Sequence, residues 1–125
     1  MATKPLENPT IFGKIISGQI PSKKIYEDND VLAFHDINPA AEVHFLIIPK
    51  KFIPTLADID ACDTAVLGKM LALAPVLAKE QGLTEGFRTA INTGLLGGQE
   101  VYHLHIHVFG NRAGGKPLRT IANQT

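Results

Sequence analysis

The chain has 125 residues, 45% of them hydrophobic and 19% charged, which is enough for one domain with a real core and too few for two. Twelve basic residues balance twelve acidic ones, so no overall positive field gathers long DNA or RNA. The longest apolar run, Met70 to Ala78, is far short of a membrane span, Met1 to Asn8 is polar without a secretory pattern, and Cys62 is the lone cysteine; together these point to a cytoplasmic protein with no membrane partner.

Residues 1–125 read as a single domain whose first nine or so residues are expected to be flexible. Thr10 is placed to cap a short helix, Ile11 to Ile16, which Gly18 and Pro21 end. Three strands are predicted next, Lys24 to Glu27, Val31 to Asp36 and His44 to Pro49, separated by the Glu27-Asp28-Asn29-Asp30 turn and the Asn38-Pro39 loop. They are adjacent and expected to pair antiparallel. A long helix is predicted from about Asp63 to Gln81, closed by Gly82. Its apolar arc spans about 200°, roughly twice what packing on one core requires, which leaves a face for a second copy of the chain. Pro75 should kink this helix or admit water to its hydrogen-bond ladder. Two further strands, Phe87 to Thr93 and Tyr102 to Gly110, enclose Gly94-Leu95-Leu96-Gly97-Gly98-Gln99-Glu100, and residues 111–125 form a tail. A glycine-rich loop of this kind either cradles an anion on its amides or simply turns a hairpin.

The last strand carries the strongest signal: Tyr102-His103-Leu104-His105-Ile106-His107-Val108-Phe109. On a β-strand this alternation sends three imidazoles to one side and Leu104, Ile106 and Val108 to the other. Polar-face filler is seldom three evenly placed imidazoles, so a site is favoured over a merely half-buried strand. Strand geometry argues against a metal held by all three, because side chains two apart lie about 7 Å apart and zinc needs nitrogens about 2 Å away. Cys62 supplies no thiolate pair, and His44 is the outlying ligand of most interest.

In these blocks the chain resembles the histidine triad nucleotide-binding proteins, in the branch that cleaves purine nucleoside phosphoramidates. The resemblance runs from Thr10-Ile11-Phe12-Gly13-Lys14-Ile15-Ile16 through Ala33-Phe34-His35-Asp36-Ile37, His44-Phe45-Leu46-Ile47-Ile48-Pro49 and Gly97-Gly98-Gln99-Glu100-Val101-Tyr102 into the triad. It implies an α+β fold, an antiparallel five-stranded sheet with two main helices, assembled as a two-fold homodimer. It also implies His105 as the nucleophile at the α-phosphorus, His107 as the group that contacts the phosphate and assists the leaving group, and His103 and His44 as supporting histidines. Asp36 and Ile37 match the ribose site, and Asn92, Gly98, Gln99 and Glu100 match phosphate-binding neighbours. Two departures stand out: Glu42 and Val43 precede His44 where many relatives have proline and threonine, and Glu100 stands where some have serine.

Elementary chemistry agrees with these roles. A neutral imidazole attacks phosphorus through one nitrogen while an acceptor holds its other N–H, and expelling an amine requires a proton that a neighbouring imidazolium can give. Asp36 can accept from both hydroxyls of a ribose, or cap the Asn38-Pro39 turn. Phe12, Phe34, Ile37 and Leu46 are candidate walls for a purine, each is also a candidate core residue, and for Phe34 the core reading is favoured. With no tight carboxylate cluster, phosphate charge is expected to be met without a metal or other cofactor. The expected activity is hydrolysis of the P–N bond of adenosine or guanosine 5′-monophosphoramidates through a nucleotidyl-histidine intermediate. The alternatives are a nucleotide-binding interaction protein with incidental turnover and a dinucleoside polyphosphate hydrolase. A deadenylylase acting on DNA ends fits poorly with a neutral chain lacking an added zinc module.

Overall fold

Short runs rich in apolar and β-branched residues build a five-stranded antiparallel sheet from β1 (Lys24–Glu27), β2 (Val31–His35), β3 (Val43–Pro49), β4 (Arg88–Ala90) and β5 (Ile106–Gly110), in the order β1-β2-β3-β5-β4. The computed structural model describes residues 8–120. Two α-helices, α1 (Ile11–Ile16) and α2 (Thr64–Glu80), cover the sheet on opposite faces. Strand β3 is central and buried along its whole length, as expected of a strand covered on both sides.

On one face Val31, Ala33, Phe45, Ile47, Ile106 and Val108 meet Met70, Ala74, Leu77 and Ala78 of α2. On the other, Leu32, Phe34, Leu46 and Ile48 pack against Phe12 and Ile15 of α1. Register ties the two functional strands together: Leu46 lies opposite His107, His44 opposite Phe109, and Phe34 opposite Leu46. His44 and His107 therefore rise from neighbouring strands on the α1 face.

The first three strands and both helices form where the sequence predicts them. The last two strands are shorter: Phe87 to Thr93 contracts to Arg88–Ala90, and the segment from Tyr102 joins the sheet only at Ile106. Pro49 ends β3 without an N–H to donate, and Ile47 with Ile106 is the last pair of that ladder. Leu104 N–H turns instead to the carbonyl of Ile53, 2.7 Å away. His103 and His105 thus stand before the strand, not on it.

Helix α2 continues past Pro75, which lies on its exposed side where the Leu71 carbonyl left unbonded by the missing N–H can meet water. Leu71 and Val76 are about half exposed, at 53% and 52%. By length and composition alone Ala61–Glu80 would suffice to cross a membrane, and 28% of its most apolar window is buried in this chain.

Candidate active site

The tautomer of each histidine is fixed by a chain of hydrogen bonds that starts at groups with no freedom to change role. Thr10 donates its N–H and its hydroxyl to Asn8 Oδ1, at 3.0 and 2.6 Å, which turns the amide nitrogen of Asn8 toward His103 Nδ1 at 2.7 Å. His103 must accept there, so its proton is on Nε2, which donates to the Pro49 carbonyl at 2.7 Å. The carbonyl of His103 in turn accepts from His105 Nδ1 at 2.6 Å. His105 Nε2 is left with its lone pair bare and faces the cleft.

The second pair is set in the same way. The backbone N–H of Ala40 donates to His44 Nδ1 at 2.9 Å, so the proton of His44 is on Nε2. That proton points at His107 Nδ1, 2.9 Å away, with Asp36 Oδ2 at 3.5 Å. His107 therefore carries its own proton on Nε2. The two triad rings that line the cleft lie 4.8 Å apart, one offering a lone pair and the other an N–H.

All four imidazoles are pushed toward the neutral form, and burial is the leading cause in each. His107 is pushed down to about 4, with His105 and His44 adding to the burial effect and Asp36 opposing it. Histidines in the unfolded chain take up protons near pH 6.5 while these resist, so the unfolded state binds more protons below that pH. The stabilisation is complete above about pH 6.5 and is lost as pH falls toward 4. The urea midpoint is accordingly expected to drop between pH 7 and pH 5, and to drop less in His107→Asn; a midpoint independent of pH in this window would contradict the neutral assignment.

The open cleft holding these groups has a volume of about 1260 Å³. Phe12, Ile15, Phe34 and Leu46 form its apolar wall, with Ile37 at its rim, 88% exposed. Phe12 meets the His105 ring edge-on at 5.1 Å and also touches Phe34, so it is both core and wall. Asp36 does two jobs: Oδ1 accepts from Asn38 N–H at 2.9 Å and Oδ2 approaches His44. The turn and site roles open to Asp36 in the sequence are thus compatible. Asn92, Gly98 and Glu100 close the other end.

Two expectations shift. The amides of Gly97, Gly98 and Gln99 donate to Gly94 and Leu95 carbonyls within their own turn, so these three N–H groups are committed to the turn. Gly98 adopts a φ of 79°, which explains the glycine there. The side chain of Gln99 does not line the cleft; it is buried, donating to the Pro54 and Val101 carbonyls and accepting from Gly94 N–H. His103 likewise lies behind the cleft, wholly buried. Sequence reasoning missed Asn8, placing it in the flexible segment. No signal in the sequence marks it; in the fold a Cβ at Gly13 would come within 2.6 Å of the Asn8 side chain, so that glycine makes room for it.

Asp36, His44 and His107 bring ligand atoms within 4.8 Å of one another, a spacing that invites a divalent cation. The Ala40 amide opposes it, because binding a metal through His44 Nε2 would move the proton to Nδ1 against that N–H. The remaining histidine, His35, lines the same cleft at the end of β2.

A model of the HIT domain matches residues 17–114. The chain is 51% identical over 108 residues to an uncharacterized HIT-like protein of Synechococcus elongatus, covering 86% of this chain and 95% of the relative. It is 46% identical over 114 residues to the adenylylsulfatase HINT1 of Arabidopsis thaliana, covering 90% and 78%. Among solved structures, a HIT family hydrolase from Legionella pneumophila superposes with a TM-score of 0.79 at 45% identity, covering 85% of this chain and 93% of that one. With the sheet, the alternating histidines and these matches agreeing, this chain belongs to the HIT domain family.

Proposed function

We propose that this protein is a purine nucleoside phosphoramidase, hydrolysing the P–N bond of adenosine or guanosine 5′-monophosphoramidates to the nucleoside monophosphate and an amine. The observation that carries this reading is the paired tautomers: a bare Nε2 on His105 beside an Nε2–H on His107, in the cleft that also holds Asp36. His105 Nε2 attacks the phosphorus, and the P–N bond breaks as His107 gives its Nε2 proton to the departing nitrogen. Water then attacks the same phosphorus, its proton returns to His107, and the P–Nε2 bond breaks. Two inversions give retention.

A neutral His107 that lost Nε2–H would become an imidazolate, so the acid form is the imidazolium, whose Nδ1–H displaces the His44 Nε2–H toward Asp36 Oδ2, 3.5 Å away. Burial disfavours that cation, and the phosphoryl anion of the substrate supplies an opposite charge. No step calls for a metal or another cofactor. The purine lies against Phe12, Phe34, Ile37 and Leu46, and the ribose hydroxyls reach Asp36 Oδ2.

The relative that is an adenylylsulfatase supports a second substrate class, in which sulfate replaces the amine. Release of AMP and ammonia from adenosine 5′-phosphoramidate in excess EDTA tests the main reading; a wild type that binds AMP and turns over nothing would leave a nucleotide-binding module instead. The same assay with the 2′-deoxy substrate is expected to lose about tenfold in kcat/KM, and Asp36→Ala to erase that difference. Equal discrimination by both proteins would remove Asp36 from the ribose site.

We also assign the exposed small and apolar side of α2, including Ala65, Gly68, Ala72 and Val76, to a two-fold homodimer interface, and the protein to the cytosol. Sedimentation equilibrium of wild type and Val76→Glu tests the first assignment. The described part of the tail folds on its own subunit: Arg112 N–H donates to Glu42 and Gly114 N–H to Glu85, away from the histidine cleft.

A further inference from the structure

A site for a nucleotide anion is here lined by more negative than positive side chains. The charged residues around the cleft are Lys23, Asp36 and Glu100, one cation against two carboxylates. Lys23 and Glu100 also lie far apart. The carbonyl of Lys23 pairs with His35 N–H on the β1 side of β2, whereas Glu100 comes from the β4 to β5 connection. In the order β1-β2-β3-β5-β4 two strand spacings, on the order of 10 Å, separate β2 from β5, and no ion pair joins the two residues among those described. Lys23 therefore leaves the charge of Glu100 uncompensated. Among the described residues Glu100 makes no ion pair or side-chain hydrogen bond, and it is exposed.

Ala90 pairs with His107 and Asn92 holds the Gly97 carbonyl, which puts the connection carrying Glu100 on the His107 side of the cleft, the side from which the group protonated by His107 departs in the proposed reaction. A sulfate or polyphosphate leaving group would bring further negative charge to a carboxylate that no Lys or Arg among the described residues pairs with. An amine brings none, and an amine with a cationic arm is attracted.

Resting on the phosphoramidase reading, we infer that Glu100 is a specificity-determining residue that selects leaving groups by charge, favouring neutral and cationic amines over anionic leaving groups at the same adenylyl centre.

The test compares three substrates with a common adenylyl group: adenosine 5′-phosphoramidate, adenylyl sulfate, and the phosphoramidate of ethylenediamine. Ratios of kcat/KM are read within each protein, which cancels differences in active fraction among wild type, Glu100→Gln and Glu100→Lys. The sulfate-to-phosphoramidate ratio is expected to rise about fivefold in Glu100→Gln and by more than about tenfold in Glu100→Lys, with the ethylenediamine ratio falling in parallel. Both shifts should shrink in 0.5 M salt, where the Debye length falls to about 4 Å. Ratios that stay within about twofold in both variants, while the wild type turns over phosphoramidate, would overturn the role of Glu100 alone. Absence of turnover on all three substrates by the wild type would instead overturn the phosphoramidase reading on which it rests.

Discussion

His105→Ala is expected to lose hydrolysis of adenosine 5′-phosphoramidate by roughly four to six orders of magnitude, because it removes the atom that bonds to phosphorus. No neighbour can take its place. His103 has both ring nitrogens committed, to Asn8 and to the Pro49 carbonyl, and it is wholly buried. His107 presents a proton toward the cleft, not a lone pair. The variant should still bind AMP, since Asp36, Ile37 and the wall formed by Phe12, Phe34 and Leu46 remain. Single-turnover kinetics with excess enzyme, together with calorimetric titration of AMP, measure the two properties separately. Residual turnover within about a hundredfold of wild type would mean that water attacks phosphorus directly and that His105 only orients it.

His107→Ala is expected to cost about 10²- to 10⁴-fold when the leaving group is an amine that must be protonated, and less than about tenfold when it is p-nitrophenolate, which departs without a proton. That difference distinguishes a general acid from a residue that merely holds phosphate. Proton inventory adds a second readout. Since burial pushes His107 down to about 4, while a bound phosphoryl anion favours its imidazolium, the protein should take up protons when a non-hydrolysable AMP analogue binds at pH 7. Heats measured in buffers of different ionisation enthalpy report that uptake, and His107→Asn should abolish most of it. Equal losses for amine and p-nitrophenolate would place His107 in phosphate binding alone.

Much of this arrangement is legible in the residues because burial has a period. The alternation of Val31, Ala33, Phe45 and Ile47 with Leu32, Phe34, Leu46 and Ile48 specifies a sheet covered on both faces, and Thr10 and Gly82 mark the helix ends. What the pattern does not disclose is where a strand stops pairing. Extending the alternation of β5 back to Tyr102 assumed that the ladder goes on, whereas Pro49 ends the partner strand and sends Leu104 to Ile53. That departure gives the three histidines three environments: His103 sealed behind the cleft, His105 pinned by the His103 carbonyl, and His107 reached from the neighbouring strand by His44.

The contacts that fix proton positions were equally hidden, since they join distant parts of the chain through single bonds. Asn8 lies 95 positions from His103, and nothing periodic marks their pairing. Ala40 acts through its backbone, so its side chain carries no sign of the role. Gln99 is the converse case. An amide in a glycine-rich loop beside imidazoles invites a phosphate, yet the same amide is what the loop needs to bind Pro54, Val101 and Gly94 to one another. Residue type gave the chemistry available there, and only the packing decides which partner uses it.

The account depends most directly on a covalent bond between His105 and the nucleotide. Wild type mixed with adenosine 5′-phosphoramidate in excess EDTA, quenched within milliseconds and analysed by intact mass and peptide mapping, should carry one adenylyl group on His105 that forms and decays at rates consistent with kcat. Turnover that proceeds with no adduct at any quench time, or an adduct located on a different histidine, would contradict it.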